Sequence, residues 1–171
     1  MRHTHAISRE SCAVPYDAER ALSDAGREQA RYVGDILRRV DLVPDPVVSS
    51  PFLRAQETAT LVCEQFPEVT RPLPLTILAP GSGTDELLRA AINYGETDSR
   101  WMLAVMHEPD VGYILGNLLF EGRACPFSVL PGDVFALDIT VNRGQIRALL
   151  ALYISPTMIV ASDMSESVKM E

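Results

Sequence analysis

A continuous apolar run from Met102 to Met106 is the feature that most constrains the fold of this 171-residue chain. Apolar runs of this length are typical of inner parallel strands, which are buried on both faces. His107 follows the run directly, and apolar residues at helical spacing begin again at Val111. The sequence therefore predicts an α/β fold in which His107 lies at the carboxyl end of a strand. Ligands bind at that edge of open α/β sheets, although a purely structural histidine is the alternative.

A second strand and helix are predicted earlier in the chain. Val47 and Val48 are β-branched and predict a short buried strand. Ser50 is then expected to cap a helix whose first position is Pro51. Arg54 falls in the first turn, where free amides and the helix dipole favour an anion over a cation. Arg54 therefore indicates an anionic partner, unless it is simply an exposed arginine that tolerates the cost.

The remaining predicted elements complete an alternation of helices and strands. Residues 7–21 have no sustained period and are expected to form a loop, after which Ser23 caps a helix. A short extended segment is expected at residues 75–78. Residues 134–141 and 146–154 predict two strands joined by a tight loop.

Charge and cysteine usage limit the classes of partner. The formal net charge of -8 argues against a nucleic acid or an anionic membrane surface as partner. An anionic substrate would therefore need a locally cationic cavity. Cys12, Cys63 and Cys125 have neither disulfide-framework nor metal-ligand spacing, which predicts reduced thiols in the cytoplasm. No apolar run reaches membrane-spanning length, and the polar start shows no signal peptide.

Arg2 and His3 are a candidate pair for phosphoryl chemistry. A neutral imidazole nitrogen is nucleophilic near neutral pH without an activating base. A guanidinium offers a rigid fork of donors that matches phosphate oxygens. Taken alone, an arginine and a histidine near a terminus are more often simply solvated.

Four stretches in this order resemble the signature motifs of the histidine phosphatase superfamily, which has the phosphoglycerate-mutase-like fold. They are Arg2–Thr4, Leu22–Ala30, Ser49–Ala59 and Met106–Pro109. Their order and spacing agree over nearly the whole chain, up to about Pro156. The short length, the segment Ser50–Ala55 and the ending Tyr153–Pro156 are similar to the SixA-type phosphohistidine phosphatases.

This resemblance implies both a fold and a mechanism. The fold is a three-layer αβα arrangement with a mostly parallel central sheet and an antiparallel C-terminal hairpin. His3 would attack phosphorus and carry the phosphoryl group until water hydrolyses it. Arg2, Arg54 and His107 would surround the phosphoryl oxygens, where charge develops in the transition state. The arginines supply the positive charge, so neither a cofactor nor a metal is expected.

The implied substrate is a phosphohistidine domain of a protein in signal transduction. A small phosphate ester is the alternative substrate, and a non-catalytic phosphate-binding module is the alternative function. Four departures from the motifs favour the module, the first of which is that only Met1 stands where the family has an apolar strand before its Arg-His motif. Thr4 replaces a glycine, Glu57 replaces a glutamine one turn from Arg54, and Glu108 replaces an asparagine beside His107.

The general acid and the chain start are further expectations. Asp85 and Glu86 are the candidate acids by position, although helix capping by Thr84 or Asp85 is the simpler interpretation. The phosphatase domain is predicted over residues 1–155, followed by a loose tail over residues 156–171. The family places an apolar central strand before its Arg-His motif, so we expect the native protein to begin several residues upstream, with a strand that ends at Met1.

Overall fold

The computed structural model describes residues 1–81, 86–87, 89, 101–143 and 145–156. The helices are α1 (Asp24–Arg39), α2 (Leu53–Cys63) and α3 (Asp110–Leu119). The strands are β1 (Val47–Ser49), β2 (Leu73–Pro74), β3 (Leu103–Val105), β4 (Val134–Asn142) and β5 (Gln145–Ile154). No helix of this described part is both long and apolar enough to cross a membrane.

The central sheet is parallel and has the order β2-β1-β3. Residues 1–3 run alongside β3. The amide of His3 donates to the carbonyl of Met106 at 2.9 Å, and the amide of Met106 donates to the carbonyl of Met1 at 3.0 Å. On their other side, the amide of Arg2 donates to the carbonyl of Asp133 at 3.1 Å, just before β4 begins. The start of the chain therefore lies between β3 and β4.

Helices cover both faces of this sheet because neighbouring strand residues point to opposite sides. Val47 packs in one core cluster with residues of α1 and α2, whereas Val48 packs in another with residues of α3. Strands β4 and β5 pair antiparallel, with a register irregularity between Ala136 and Leu137. The predicted α/β class, with its parallel sheet and antiparallel C-terminal hairpin, is confirmed.

Of the two predicted helix starts, that of α1 is confirmed and that of α2 is not. The hydroxyl of Ser23 accepts a hydrogen bond from the amide of Gly26 at 3.1 Å, which caps α1 as expected. The expected cap by Ser50 is wrong, since α2 begins at Leu53 and its N-cap residue is Phe52. The Ser50 hydroxyl accepts instead from the amide of Phe52 at 3.2 Å, and this contact holds the turn that precedes the helix.

The extended segment predicted at residues 75–78 is also misplaced. The extended pair is Leu73–Pro74, and Thr76–Leu78 form a 3₁₀ turn. The amide of Leu75 still donates to the carbonyl of Ser49 at 2.8 Å, and the pairing ends where the 3₁₀ turn begins. The predicted cap at Thr84 or Asp85 and most of the predicted tail, residues 157–171, lie outside the described residues.

Candidate active site

Three consecutive segments of the sheet deliver polar side chains to one edge. His3 ends the first segment, which is residues 1–3, Ser50 follows β1, and His107 comes two residues after the end of β3. Because these segments are parallel, their carboxyl ends meet at the same edge. The rings of His3 and His107 lie 5.1 Å apart between centroids. The two histidines that the sequence singled out are therefore brought together.

The hydrogen bonds of His3 fix which ring nitrogen is free to react. Its Nδ1 lies 2.7 Å from the carbonyl oxygen of Thr4, and a carbonyl can only accept, so Nδ1 carries the proton. The Nε2 lone pair accepts a hydrogen bond from Nε of Arg54 at 3.1 Å. Nε2 is thus the ring nitrogen that carries the lone pair, and in this structure that lone pair accepts the hydrogen bond from Arg54.

Burial keeps the His3 ring neutral. Burial lowers the pKa of His3 from 6.5 to about 4, and the positive charges of Arg54, Arg2 and Arg20 lower it further. The hydrogen bond to the Thr4 carbonyl acts in the opposite direction and raises the pKa. A neutral ring at physiological pH is the form that has a free lone pair.

Thr4 fits its position without the backbone freedom of a glycine. It is fully buried, and among the described non-glycine residues it is not one with positive φ. Its amide donates to the hydroxyl oxygen of Thr58 at 3.2 Å, and the two hydroxyls lie 3.1 Å apart. The substitution of glycine by Thr4 therefore ties the first segment to α2 through Thr58.

Arg54 is a buried cation that already has an anionic partner. Its side chain is only 5% exposed, and its guanidinium donates to the carboxylate of Asp17 at 3.0 Å and to the Asp17 carbonyl at 2.8 Å. Arg20 also donates to the Asp17 carboxylate, at 3.1 Å. Burial raises the pKa of Asp17, but the charges and hydrogen bonds of Arg54 and Arg20 outweigh it and lower the pKa overall.

Sequence reasoning missed Asp17 and Arg20 because both lie in the loop of residues 7–21, which has no period. Only the mixture of charges in that loop pointed to them. The anionic partner expected for Arg54 is present, but in this structure it belongs to the chain itself.

His107 is held by Ser50, which sequence reasoning assigned only to capping. Nε2 of His107 lies 2.8 Å from the Ser50 hydroxyl, and Nδ1 is buried without a partner among the described residues. Burial, with the charge of Arg54, lowers the pKa of His107 to about 3. His107 is therefore a neutral side chain that can give or accept one hydrogen bond at Nδ1.

Arg2 reaches the same edge, and its NH1 donates to the carbonyl of Val129 at 2.6 Å. Its Nε is buried and has no partner in the part of the chain that the structure describes. Burial lowers the pKa of Arg2, yet an arginine stays charged at physiological pH.

A cavity of about 510 Å³ opens between these side chains. The described residues that line it include four arginines, Arg2, Arg9, Arg20 and Arg54, and two acidic residues, Asp17 and Glu108. Cations outnumber anions here, although the chain carries a net charge of -8. The locally cationic cavity expected for an anionic substrate is therefore present.

The remaining predicted site residues stand apart from this cavity. Glu57 accepts hydrogen bonds from Arg27 at 3.1 Å and from the amide of Leu22 at 2.6 Å, so its carboxylate serves the start of α1 rather than Arg54. Glu86 is exposed and is not among the described lining residues. Asp85 lies outside the described residues, and a general-acid role for either residue stays a prediction.

Comparison with known proteins matches the first part of this chain to one family model. Residues 1–76 match the model described as the histidine phosphatase superfamily, branch 1. The chain is similar to mitochondrial serine/threonine-protein phosphatase Pgam5 of Drosophila grimshawi, with 39% identity over 50 residues, and of Drosophila virilis, with 44% over 45 residues. These matches cover 29% and 26% of this chain but only 17% and 16% of those proteins.

Solved structures resemble the chain over nearly its whole length. The protein histidine phosphatase SixA complexed with tungstate has a TM-score of 0.74 and 24% identity, covering 93% of this chain and 96% of that one. A putative SixA from Nakamurella multipartitia has a TM-score of 0.66 and 26% identity, covering 91% and 93%. The alpha-ribazole phosphatase from Shigella flexneri has a TM-score of 0.68 and 18% identity, covering 91% and 95%. The chain thus resembles the histidine phosphatase superfamily in the motifs of its first 76 residues, and it shares the fold of SixA over nearly its whole length.

Proposed function

We propose that this protein is a phosphatase that forms a covalent phosphohistidine on His3. The observation that carries the proposal is the state of His3, whose ring is neutral, has its proton fixed on Nδ1 by Thr4, and turns Nε2 toward Arg54. A nucleophile held beside a guanidinium is the arrangement that transfer of an anionic phosphoryl group requires.

The reaction has two transfers that share one set of donors. Nε2 of His3 attacks phosphorus, the bond from phosphorus to the leaving atom breaks, and the leaving atom takes a proton. Water then attacks the phosphohistidine, which releases inorganic phosphate and restores the Nε2 lone pair. Arg2, Arg54 and His107 stabilise the charge that spreads over the phosphoryl oxygens in both steps. Removal of one such donor typically costs about 2.7–4 kcal/mol of transition-state stabilisation.

A protein phosphohistidine is the substrate that we favour. The fold shared with the protein histidine phosphatase SixA supports this choice. The fold shared with an alpha-ribazole phosphatase supports the alternative, a small-molecule phosphomonoesterase. Rates on a phosphohistidine domain and on a panel of sugar phosphates separate the two, because faster turnover of the sugar phosphates would reject the protein substrate.

Trapping tests the covalent step itself. The protein is incubated with a labelled phosphohistidine domain and denatured in alkali, where a phosphohistidine survives. We expect acid-labile label on the wild-type protein and on His5→Asn, which changes an exposed histidine that also lines the cavity, but none on His3→Asn.

A non-catalytic phosphate-binding module is the second candidate function. It is favoured by the hydrogen bond from Arg54 to Nε2 of His3, which occupies the attacking lone pair in this structure. Phosphate binding without any label on His3 would support the module and reject the phosphatase.

A further inference from the structure

The hydroxyl of Ser50 lies between two hydrogen-bond partners, and one of them cannot accept its hydrogen. Ser50 is fully buried, and its Oγ lies 3.2 Å from the amide nitrogen of Phe52 and 2.8 Å from Nε2 of His107. The amide of Phe52 is a donor, so it occupies a lone pair of the hydroxyl oxygen. Buried hydroxyl groups are normally hydrogen-bonded, and among the described residues only Nε2 of His107 can take the hydrogen of Ser50. Ser50 therefore donates, and Nε2 accepts.

The direction of this hydrogen bond decides the tautomer of His107. A ring nitrogen that accepts a hydrogen bond carries a lone pair, so the single hydrogen of the neutral ring lies on Nδ1. Nδ1 is buried and has no partner among the described residues, and His107 lines the same cavity as His3. The cavity therefore contains an N–H donor that no described group of the chain accepts.

The two histidines thus present complementary atoms to the cavity. The carbonyl of Thr4 accepts from Nδ1 of His3 and leaves a lone pair at Nε2. The hydroxyl of Ser50 donates to Nε2 of His107 and leaves a hydrogen at Nδ1. Because the ring centroids are 5.1 Å apart, a phosphoryl group bound at the first ring would lie beside the second.

We infer that Ser50 is a positioning residue that fixes the hydrogen of His107 on Nδ1, so that His107 acts on a phosphoryl oxygen as a neutral hydrogen-bond donor. The inference rests on the proposed function and deepens it, because it names the donor atom and the residue that sets it. Without Ser50 the ring can carry its hydrogen on Nε2 instead. Nδ1 would then present a lone pair to the anionic oxygens and would no longer stabilise the charge that develops on them in the transition state.

Nitrogen-15 NMR of histidine-labelled protein measures the tautomer directly, because the protonated and unprotonated nitrogens of a neutral ring resonate far apart. The chain has three histidines, so His3→Asn and His5→Asn assign the signals. We expect the hydrogen of His107 on Nδ1 in the wild-type protein, and a shift of that nitrogen when inorganic phosphate is added. In Ser50→Ala we expect the hydrogen to move wholly or partly to Nε2. Ser49→Ala is the matched control, because Ser49 is the neighbouring buried serine and its hydroxyl has no partner among the described residues.

Turnover of p-nitrophenyl phosphate tests whether the tautomer matters for the reaction. In Ser50→Ala, kcat/KM should fall by about 10–100-fold, the typical loss when the hydrogen-bond partner behind a histidine ligand is removed in metal sites. Ser49→Ala should keep the wild-type value. A second comparison replaces the ring itself, since the amide nitrogen of asparagine can take the place of Nδ1 and that of glutamine the place of Nε2. We therefore expect His107→Asn to retain more activity than His107→Gln.

The outcomes separate this inference from the phosphatase. A hydrogen on Nε2 of His107 in the wild-type protein, or one that stays on Nδ1 in Ser50→Ala, would overturn the role of Ser50 and leave the phosphatase intact. A changed tautomer with wild-type kcat/KM, or equal activity of His107→Gln and His107→Asn, would overturn it as well. A wild-type protein that has the expected tautomer but forms no label on His3 would overturn the phosphatase, and with it the donation to a phosphoryl oxygen.

Discussion

The two buried neutral histidines should make the stability of this protein strongly dependent on pH. Burial lowers the pKa of His3 from 6.5 to about 4 and that of His107 from 6.5 to about 3. In the unfolded chain both rings return to the ordinary value. Below pH 6.5 the unfolded state therefore binds protons that the folded state does not, and stability falls as the pH falls.

The printed pKa values set the size of this effect. Between pH 8 and pH 5, each histidine lowers the free energy of unfolding by roughly 2 kcal/mol, so the pair lowers it by roughly 4 kcal/mol. Folded domains have a total stability of only about 5–15 kcal/mol. The lowered pKa of Asp17 adds a further loss of stability only at still lower pH. The raised pKa of Glu108 has the opposite sign and offsets a small part of the stability that the histidines lose.

Urea unfolding followed by circular dichroism, repeated from pH 8 to pH 5, measures this dependence. His3→Gln and His107→Gln should each remove roughly 2 kcal/mol of this change, because a glutamine does not titrate. Part of the slope remains in both variants, because burial also lowers the pKa of the Met1 terminal amine, from 8.0 to about 5. Thr140→Gln is the control and should leave the slope unchanged, since Thr140 is exposed and does not titrate. A wild-type stability that stays level between pH 7 and pH 5 would show that the rings are not held neutral by burial, and the reasoning would fail.

Three further substitutions test contacts at and around the site. Arg54→Lys loses the Nε donor to His3 and the paired donors to Asp17, so thermal unfolding should show a loss of roughly 1–3 kcal/mol. In a phosphatase assay well below the unfolding temperature, kcat/KM should fall by about 10²–10³-fold, and an unchanged value would contradict the role of Arg54. Glu57→Gln breaks the ion pair with Arg27, so thermal unfolding should show a loss of roughly 1 kcal/mol or less while kcat/KM stays at the wild-type level; a large loss of activity would contradict the placement of Glu57. Gly26→Ala puts a methyl group against the carbonyl of His5, and urea unfolding should show a loss of roughly 1–3 kcal/mol, whereas a neutral result would contradict this close approach.

The sequence was sufficient wherever a local pattern and its structural consequence coincide. The apolar run before His107 forms β3, and the β-branched pair Val47–Val48 forms most of β1. Both strands end at the same edge, so the meeting of His3, Arg54 and His107 follows from motif order together with parallel topology. That part of the site could be predicted because strand ends are fixed by the fold.

The partners of these residues could not be predicted in the same way. Ser50 satisfied the rule for a helix cap, but the helix starts three residues later and the hydroxyl is used by His107. Glu57 was counted as a charge near Arg54 by spacing alone, yet the side chain turns to Arg27 on α1. These outcomes depend on contacts between distant elements, which spacing along one helix does not report.

Asp17 explains how a cavity lined by several arginines is stable without a bound anion. Arg54 is nearly inaccessible to solvent, and a buried guanidinium without a counter-charge is strongly destabilising. The Asp17 carboxylate supplies that charge and pairs with Arg20 at the same time, so the loop of residues 7–21 is tied to α2 across the site. An incoming phosphoryl group offers oxygens of the same sign and similar hydrogen-bonding capacity. An exchange of carboxylate for phosphate at Arg54 therefore keeps the buried cation paired, and this is why the same guanidinium can serve both the unliganded fold and the proposed reaction.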